Sequence, residues 1–320
     1  MRYIQVSSVD PCYNMAFESW ALKNLPGGES WFYLWRNRPS VIIGENQDAY
    51  TEVNLDYLAE NDIALARRTT GGGAVYHDLN NLNYSFIGEN VSVDPIIEAL
   101  RRLGVPAEKT GRNDIFVAGR KVSGYARRME CNRWLVHGTL LYDVDLDTLQ
   151  HALDTPQGKL SRKGVKSVRS AVANLKDWLP QTRSVQDFER LLLSTFPPMP
   201  EYRLSEAQKS EIERLNRDKF SSPQWLYGKR TQAPVHRQAH LPCGQVDAWL
   251  DVSDGTVRSV VFSGDFLGAE SANVLASHLE GVKYDFTSIR EALEKERVED
   301  YFDSTSADQL VSLIISDTLG

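Results

Sequence analysis

Three successive glycines, Gly71, Gly72 and Gly73, lie in the run Arg67-Arg68-Thr69-Thr70-Gly71-Gly72-Gly73-Ala74-Val75-Tyr76-His77-Asp78, and no other feature constrains this chain more. Such a run costs conformational entropy, so a fold keeps it where the backbone needs unusual angles or where something approaches the main chain closely. Residues of strand character stand on both sides, Ile63–Arg68 before and Ala74–Tyr76 after, so the loop joins two strands. Consecutive N–H groups in such a loop form a concavity suited to phosphate oxygens, and Arg68 adds a forked, charge-assisted donor. A flexible turn is the alternative for the glycines alone. The spacing is not GxxxxGK(S/T), which excludes a P-loop, and it is not GxGxxG between strand and helix, which leaves a dinucleotide fold unsupported.

Around the loop the pattern is that of a mixed fold. Asp10-Pro11 marks a helix start ahead of Met15, Phe17, Trp20 and Leu25, and Asp94-Pro95 opens another helix closed by Gly104. Apolar runs at Trp31–Trp35 and Ser40–Gly44, and the alternation Leu82, Tyr84, Phe86, read as strands. Ile115–Val117 and Trp134–Tyr142 are strand-like around a polar, basic middle, and helices are expected over Leu146–Leu153 and Val185–Leu193. Strands and helices return after residue 245, an α+β layout in two unequal domains, 1–228 and 236–320, joined by a linker at 229–235.

Charge divides at the same place. Residues 245–320 carry 15 acidic and 5 basic side chains, net -10, and the rest of the chain is net +3. That distribution argues against a nucleic-acid binder and suits an anionic small ligand or an acidic protein partner. No apolar run approaches membrane-spanning length and the N-terminus lacks a signal-peptide layout, so a cytoplasmic, membrane-free protein is expected. Three separated cysteines without a CxxC pair fit a reduced compartment. His236, His240 and Cys243 form HxxxHxxC, but a fourth zinc ligand is not evident and the segment reads as linker.

A second cluster comprises Gly111-Arg112-Asn113-Asp114-Ile115, Gly119-Arg120-Lys121-Val122-Ser123-Gly124 through Arg127, and His137-Gly138-Thr139-Leu140-Leu141. On its own, Lys121 reads as the lysine of a solvated hairpin. Together with RRTTGGG, with Asp10–Glu18 (DPxxNxAFE) and with Ser167–Leu175 (SVRSAVANL), the order and separations resemble the lipoate–protein ligases of the biotin and lipoate ligase superfamily. The stretch Ser263–Gly268 is similar to one in the accessory domain of those ligases.

The resemblance implies a mixed-sheet catalytic domain with a small α+β accessory domain, and an enzyme that joins lipoate to AMP with ATP and magnesium, then passes the lipoyl group to a carrier lysine. Implied carriers are lipoyl domains of 2-oxoacid dehydrogenase complexes and the glycine cleavage H protein, served by a monomer. Lys121 becomes the cation beside acyl carbonyl and α-phosphate, with Asp114 orienting it or holding magnesium. Arg68, Gly71, Gly72, Gly73, Ala74, Val75 and Tyr76 would contact the nucleotide, and Thr70, His77, Arg127 and His137 would line the lipoyl pocket with Lys121. Five bases without an acid, Lys159, Arg162, Lys163, Lys166 and Arg169, suggest closure over the adenylate or carrier docking. His77-Asp78-Leu79-Asn80-Asn81 stands where such ligases read HDxGN, so Asn80 is expected to take a left-handed backbone. Two rivals stay open: a transferase that uses a preformed lipoyl or octanoyl donor, and a silent regulator that binds adenylate or carrier.

Overall fold

The first helix forms where Asp10 and Pro11 direct it. In the computed structural model, which describes residues 1–153, 172–228 and 233–315, Asp10 Oδ1 accepts from the Tyr13 N–H at 2.7 Å and Pro11 opens α1 (Pro11–Asn24). Ten of its residues are buried, among them the polar Asn14, Glu18 and Ser19. A helix resting on a surface would bury one face, so α1 lies inside the molecule and its polar groups need internal partners.

Strands follow as β1 (Arg2–Ile4), β2 (Trp31–Trp35), β3 (Ser40–Ile43), β4 (Ala64–Arg67), β5 (Val75–His77), β6 (Asn81–Gly88), β7 (Ala107–Thr110), β8 (Asp114–Val117), β9 (Arg120–Glu130), β10 (Arg133–Leu141) and β11 (Glu201–Tyr202). Eight of them form one mixed sheet in the order β11-β1-β2-β6-β10-β9-β8-β7, and β3 forms a second sheet between β4 and β5. On one face of the large sheet, Phe32, Leu34, Tyr84 and Phe86 meet Ile96, Ile97 and Leu100 of the helix at Asp94–Arg102. On the other, Trp31, Tyr33 and Trp35 meet Met15, Phe17 and Trp20 of α1. Sheets covered on both faces read as near-continuous apolar runs, which is why β2 was legible as a strand without alternation.

The C-terminal part has its own antiparallel sheet, β12 (Val235–Leu241), β13 (Gly244–Ser253) and β14 (Thr256–Ser263). Its core, with Val246, Leu250, Phe262, Phe266, Leu275, Ile289 and Leu310, is separate from the rest. The architecture is the expected α+β one.

Two local expectations need correction. The polar middle at 120–130 is β9, an interior strand of the large sheet between β10 and β8. The linker reading of the HxxxHxxC segment gives way to β12, in which His236 and His240 lie on the exposed face. Arg237 in β12 and Ser123 in β9 stand at positions turned away from solvent, which breaks the period-2 signal. No helix among the described residues is long and apolar enough to cross a membrane.

Candidate active site

The β8–β9 pairing slips beside Lys121. Ile115 faces Ser123 and Phe116 faces Lys121, so β9 carries the extra residue Val122, a β-bulge. Bulges bend a strand and re-aim a side chain. Here Lys121, about a third exposed, meets Asp114 with Nζ to Oδ1 at 2.7 Å. Gly124 lies beside the pair, where an added Cβ would come within 3.3 Å of Lys121 Nζ. The other side of Lys121 is tied down by main chain: Ala173 N–H donates to the Lys121 carbonyl at 2.9 Å. The run from Lys159 to Arg169 lies outside the described residues.

The arginine pair before the glycine loop is built inward. Arg67 donates from Nε to the Trp225 carbonyl, from Nη1 to the carbonyls of Gly44, Glu45 and Gln47, and from Nη2 to Leu226. Arg68 donates to the Ile42 carbonyl and, through Nη2, to the carbonyls of Gly71 at 2.7 Å and Gly73 at 2.8 Å. Burial lowers both guanidinium pKa values to about 10, which still leaves them charged at neutral pH. The Arg68 guanidinium thus holds the shape of the loop.

The three glycines of the loop differ in what surrounds them. A Cβ on Gly71 would overlap the Phe266 carbonyl oxygen, and Gly72 N–H donates to that same oxygen at 3.0 Å. Gly72 has φ of +91°, and Gly73 has open space around it. The close approach at Gly71 is thus made by the C-terminal part of the chain.

Between loop and lysine lies a cavity of about 140 Å³ lined by Met15, Trp35, Ile42, Val75, Asn83 and Ala126 on its less polar side. Arg68, Gly72, Gly73, Asn113, Lys121 and Gly124 also line it. A buried chain of hydrogen bonds runs behind it. Trp35 Nε1 donates to Ser85 Oγ, Ser85 donates to Glu18 Oε1, and Glu18 Oε2 lies 2.8 Å from His137 Nδ1. His137 Nε2 then meets Thr70 Oγ1 at 2.8 Å, and Thr70 accepts from Arg68 Nε. The Glu18 carboxylate accepts from Nδ1–H, which fixes the orientation of the ring.

His77 is set the other way round. Asn14 Nδ2 donates to Asn37 Oδ1, which turns Asn37 Nδ2 toward His77 Nδ1 at 3.0 Å. Burial, with help from Arg68 and His137, pushes the His77 pKa down to about 3. The ring is neutral, and its hydrogen is on Nε2.

Of the residues singled out from the sequence, Arg68, Lys121, His77, His137, Gly72, Gly73, Ala74 and Val75 line the cavity. Asp114 reaches it through Lys121. Four residues expected at the wall are elsewhere, among them Gly71, which packs against the Phe266 main chain. Thr70 is fully buried between Arg68 and His137. Tyr76 points into the core around Val41 and Leu58, because alternation along β5 sends it opposite to Val75 and His77. Arg127 lies over Trp134 at 5.2 Å and pairs with Asp303, in a neighbouring cleft of about 220 Å³. Asn80 does not take a left-handed backbone. Its N–H donates to Asp78 Oδ1 at 2.8 Å, and that side-chain bond closes the turn instead. Sequence reasoning passed over Glu18, Trp35 and Asn83. For Glu18, the signal was an acid within the apolar face of α1.

Residues 10–197 match the family described as the lipoyl protein ligase A/B catalytic domain, and residues 231–314 match the bacterial lipoate protein ligase C-terminus. The chain belongs to the lipoate–protein ligase family. It is 38% identical to lipoate–protein ligase 1 of Staphylococcus aureus over 98% of this chain and 100% of that one. Among solved structures it is similar to a bipartite lipoate protein ligase of Thermoplasma acidophilum, studied with its E2 lipoyl domain, at TM-score 0.63 and 30% identity over 73% of this chain and 98% of that one. It is similar also to a lipoate–protein ligase A bound with ATP, at TM-score 0.61 and 29% identity over 71% and 98%.

Proposed function

We propose that this lipoate–protein ligase activates lipoate with ATP at the Lys121 cavity and transfers the lipoyl group to a lysine of a lipoyl carrier domain. The reading rests above all on one arrangement, Lys121 held by Asp114 in a cavity that the glycine loop lines together with Met15, Trp35 and Ile42. The lipoate carboxylate attacks the α-phosphorus, pyrophosphate departs, and an acyl-phosphate anhydride remains. The carrier amine then adds to the acyl carbon, and AMP leaves with the electron pair of the broken bond. Both steps develop charge on oxygens next to one another, so a fixed ammonium serves each.

The N–H groups of Gly73 and Ala74 would receive phosphate oxygens, with Arg68 acting through the loop it shapes. Trp35, His77, His137 and Asn83 would surround the acyl chain. Asp114 is the carboxylate beside Lys121, which suits a magnesium ion carried mainly by ATP phosphates with one protein ligand; the ion would neutralise phosphate charge. The division into 1–228, 229–235 and 236–320, a monomeric state and a cytoplasmic location belong to the same reading, as do 2-oxoacid dehydrogenase and glycine cleavage carriers. The separate core of the C-terminal part supports the division.

Incubation with ATP, magnesium, lipoate and an apo lipoyl domain, followed by intact mass, tests the reading. Expected is a carrier heavier by one lipoyl group and equimolar pyrophosphate. Modification only with preformed lipoyl-adenylate would replace the ligase with a transferase, and none with either donor would leave a binding protein.

A further inference from the structure

One part of the cavity wall carries polar groups that an aliphatic chain does not need. Trp35 on β2 pairs in register with Asn83 on β6, and Asn83 pairs with Thr139 on β10, so the three side chains form one row across the cavity floor. Asn83 is 1% exposed, and its Oδ1 accepts from Asn81 Nδ2 at 2.8 Å. In that arrangement Asn83 Nδ2 and Asn81 Oδ1 are both left with no partner among the described residues. His77 stands on the other side of Trp35, ring centroids 6.1 Å apart, and its Nε2 likewise has no partner there. Two buried donors thus flank one indole at the same end of one cavity.

Buried donors without acceptors cost free energy unless a ligand completes them. From β6 to β9, where Lys121 and Gly124 stand, the sheet crosses one intervening strand, a span of about 10 Å at two strand spacings. That span is comparable with an extended acyl chain whose carboxyl end is at Lys121 and whose distal end is at Asn83. A dithiolane presents two polarisable sulfurs at that end, and sulfur is a weak hydrogen-bond acceptor. Octanoate presents only C–H.

We infer that Asn83 is a specificity-determining residue: its amide N–H, beside that of His77, meets the dithiolane sulfurs and makes the site select lipoate against octanoate. A site with placed donors rejects an analogue lacking the acceptor because the donors are stranded. The inference rests on the acyl-activating reading above.

Calorimetric titration of the whole protein with lipoate and with octanoate tests it, and pyrophosphate release with each acid serves as a separate check on that reading. The wild-type protein should bind lipoate roughly ten- to a hundredfold tighter than octanoate, the range for a buried donor satisfied or stranded. Asn83→Leu should narrow that ratio severalfold, mostly by gaining octanoate affinity. An unchanged ratio in a folded Asn83→Leu protein overturns the inference. If that variant does not fold, the wild-type protein decides with a fatty acid of octanoate length carrying a distal thioether. Binding near lipoate supports the role of sulfur, and binding equal to octanoate overturns it. Equal affinity of the wild-type protein for lipoate and octanoate also overturns it, whereas tight lipoate binding without pyrophosphate release would sink the ligase reading and leave the specificity claim standing.

Discussion

The floor beneath the glycine loop and the bulge in β9 use positive charge in opposite ways. Arg67 and Arg68 are 1% and 7% exposed, and their donors are taken by main-chain carbonyls from several segments. Lys121 is about a third exposed, with one carboxylate partner and a side-chain-free glycine beside it. Guanidinium offers five fixed donors and suits a joint between several strands of chain, whereas a lone ammonium on a flexible stem can follow charge as it moves through a reaction. The arginines build the site, and the lysine is left available to work in it.

Substitution can break that contrast. Lys121→Ala should lower adenylate formation by about 10²–10³, the usual cost of removing one charge-stabilising donor, with thermal stability close to wild type; full activity would remove Lys121 from the chemistry. Arg67→Met should do the reverse, costing about 3–5 kcal/mol of stability by stranding buried carbonyls. Chemical denaturation would show the loss, and an undiminished midpoint would mean that the joint is redundant.

The same division extends to pH. The folded-state pKa of His77, about 3, is far below its ordinary value of 6.5. Between these values the unfolded chain takes up a proton and the folded chain does not, so stability falls as pH drops from 6.5 toward 3. The slope from this group approaches about 1.4 kcal/mol per pH unit. His77→Gln should flatten the acid limb of a stability-against-pH curve by that amount, and superimposable curves would show that His77 is not the group responsible. The smallest effect separates two neighbours. Gly71→Ala should cost about 1–3 kcal/mol because its methyl group meets the Phe266 main chain. Gly73→Ala, with open space around it, should stay within about 0.5 kcal/mol. Equal losses would show that the loop shifts as one body.

How much of this could be read beforehand follows from where information is local. The helix start at Asp10-Pro11, the buried strands β2 and β6 and the strand–loop–strand setting of the glycines all depend on neighbouring residues. Lys121 needed the co-ordered motifs around it, because a bulge cannot be seen in Arg120–Ser123 alone. The inward turn of Arg68, the displacement of Thr70 and Arg127 from the wall, and the place of Asn83 beside Trp35 depend on pairings between distant strands. Strand β12 is hidden because Arg237 interrupts the apolar set Val235, Ala239 and Leu241 on its less exposed face.

The contact of Gly71 and Gly72 with Phe266 joins main chain to main chain. Replacing the Phe266 side chain leaves its carbonyl in place, so a conventional alanine scan of the C-terminal part would pass over this joint. Replacing the Gly72 amide with an ester by semisynthesis would expose it. In a hybrid enzyme carrying the accessory part of a relative, compatibility would then depend on the path of the grafted backbone more than on which residues decorate it.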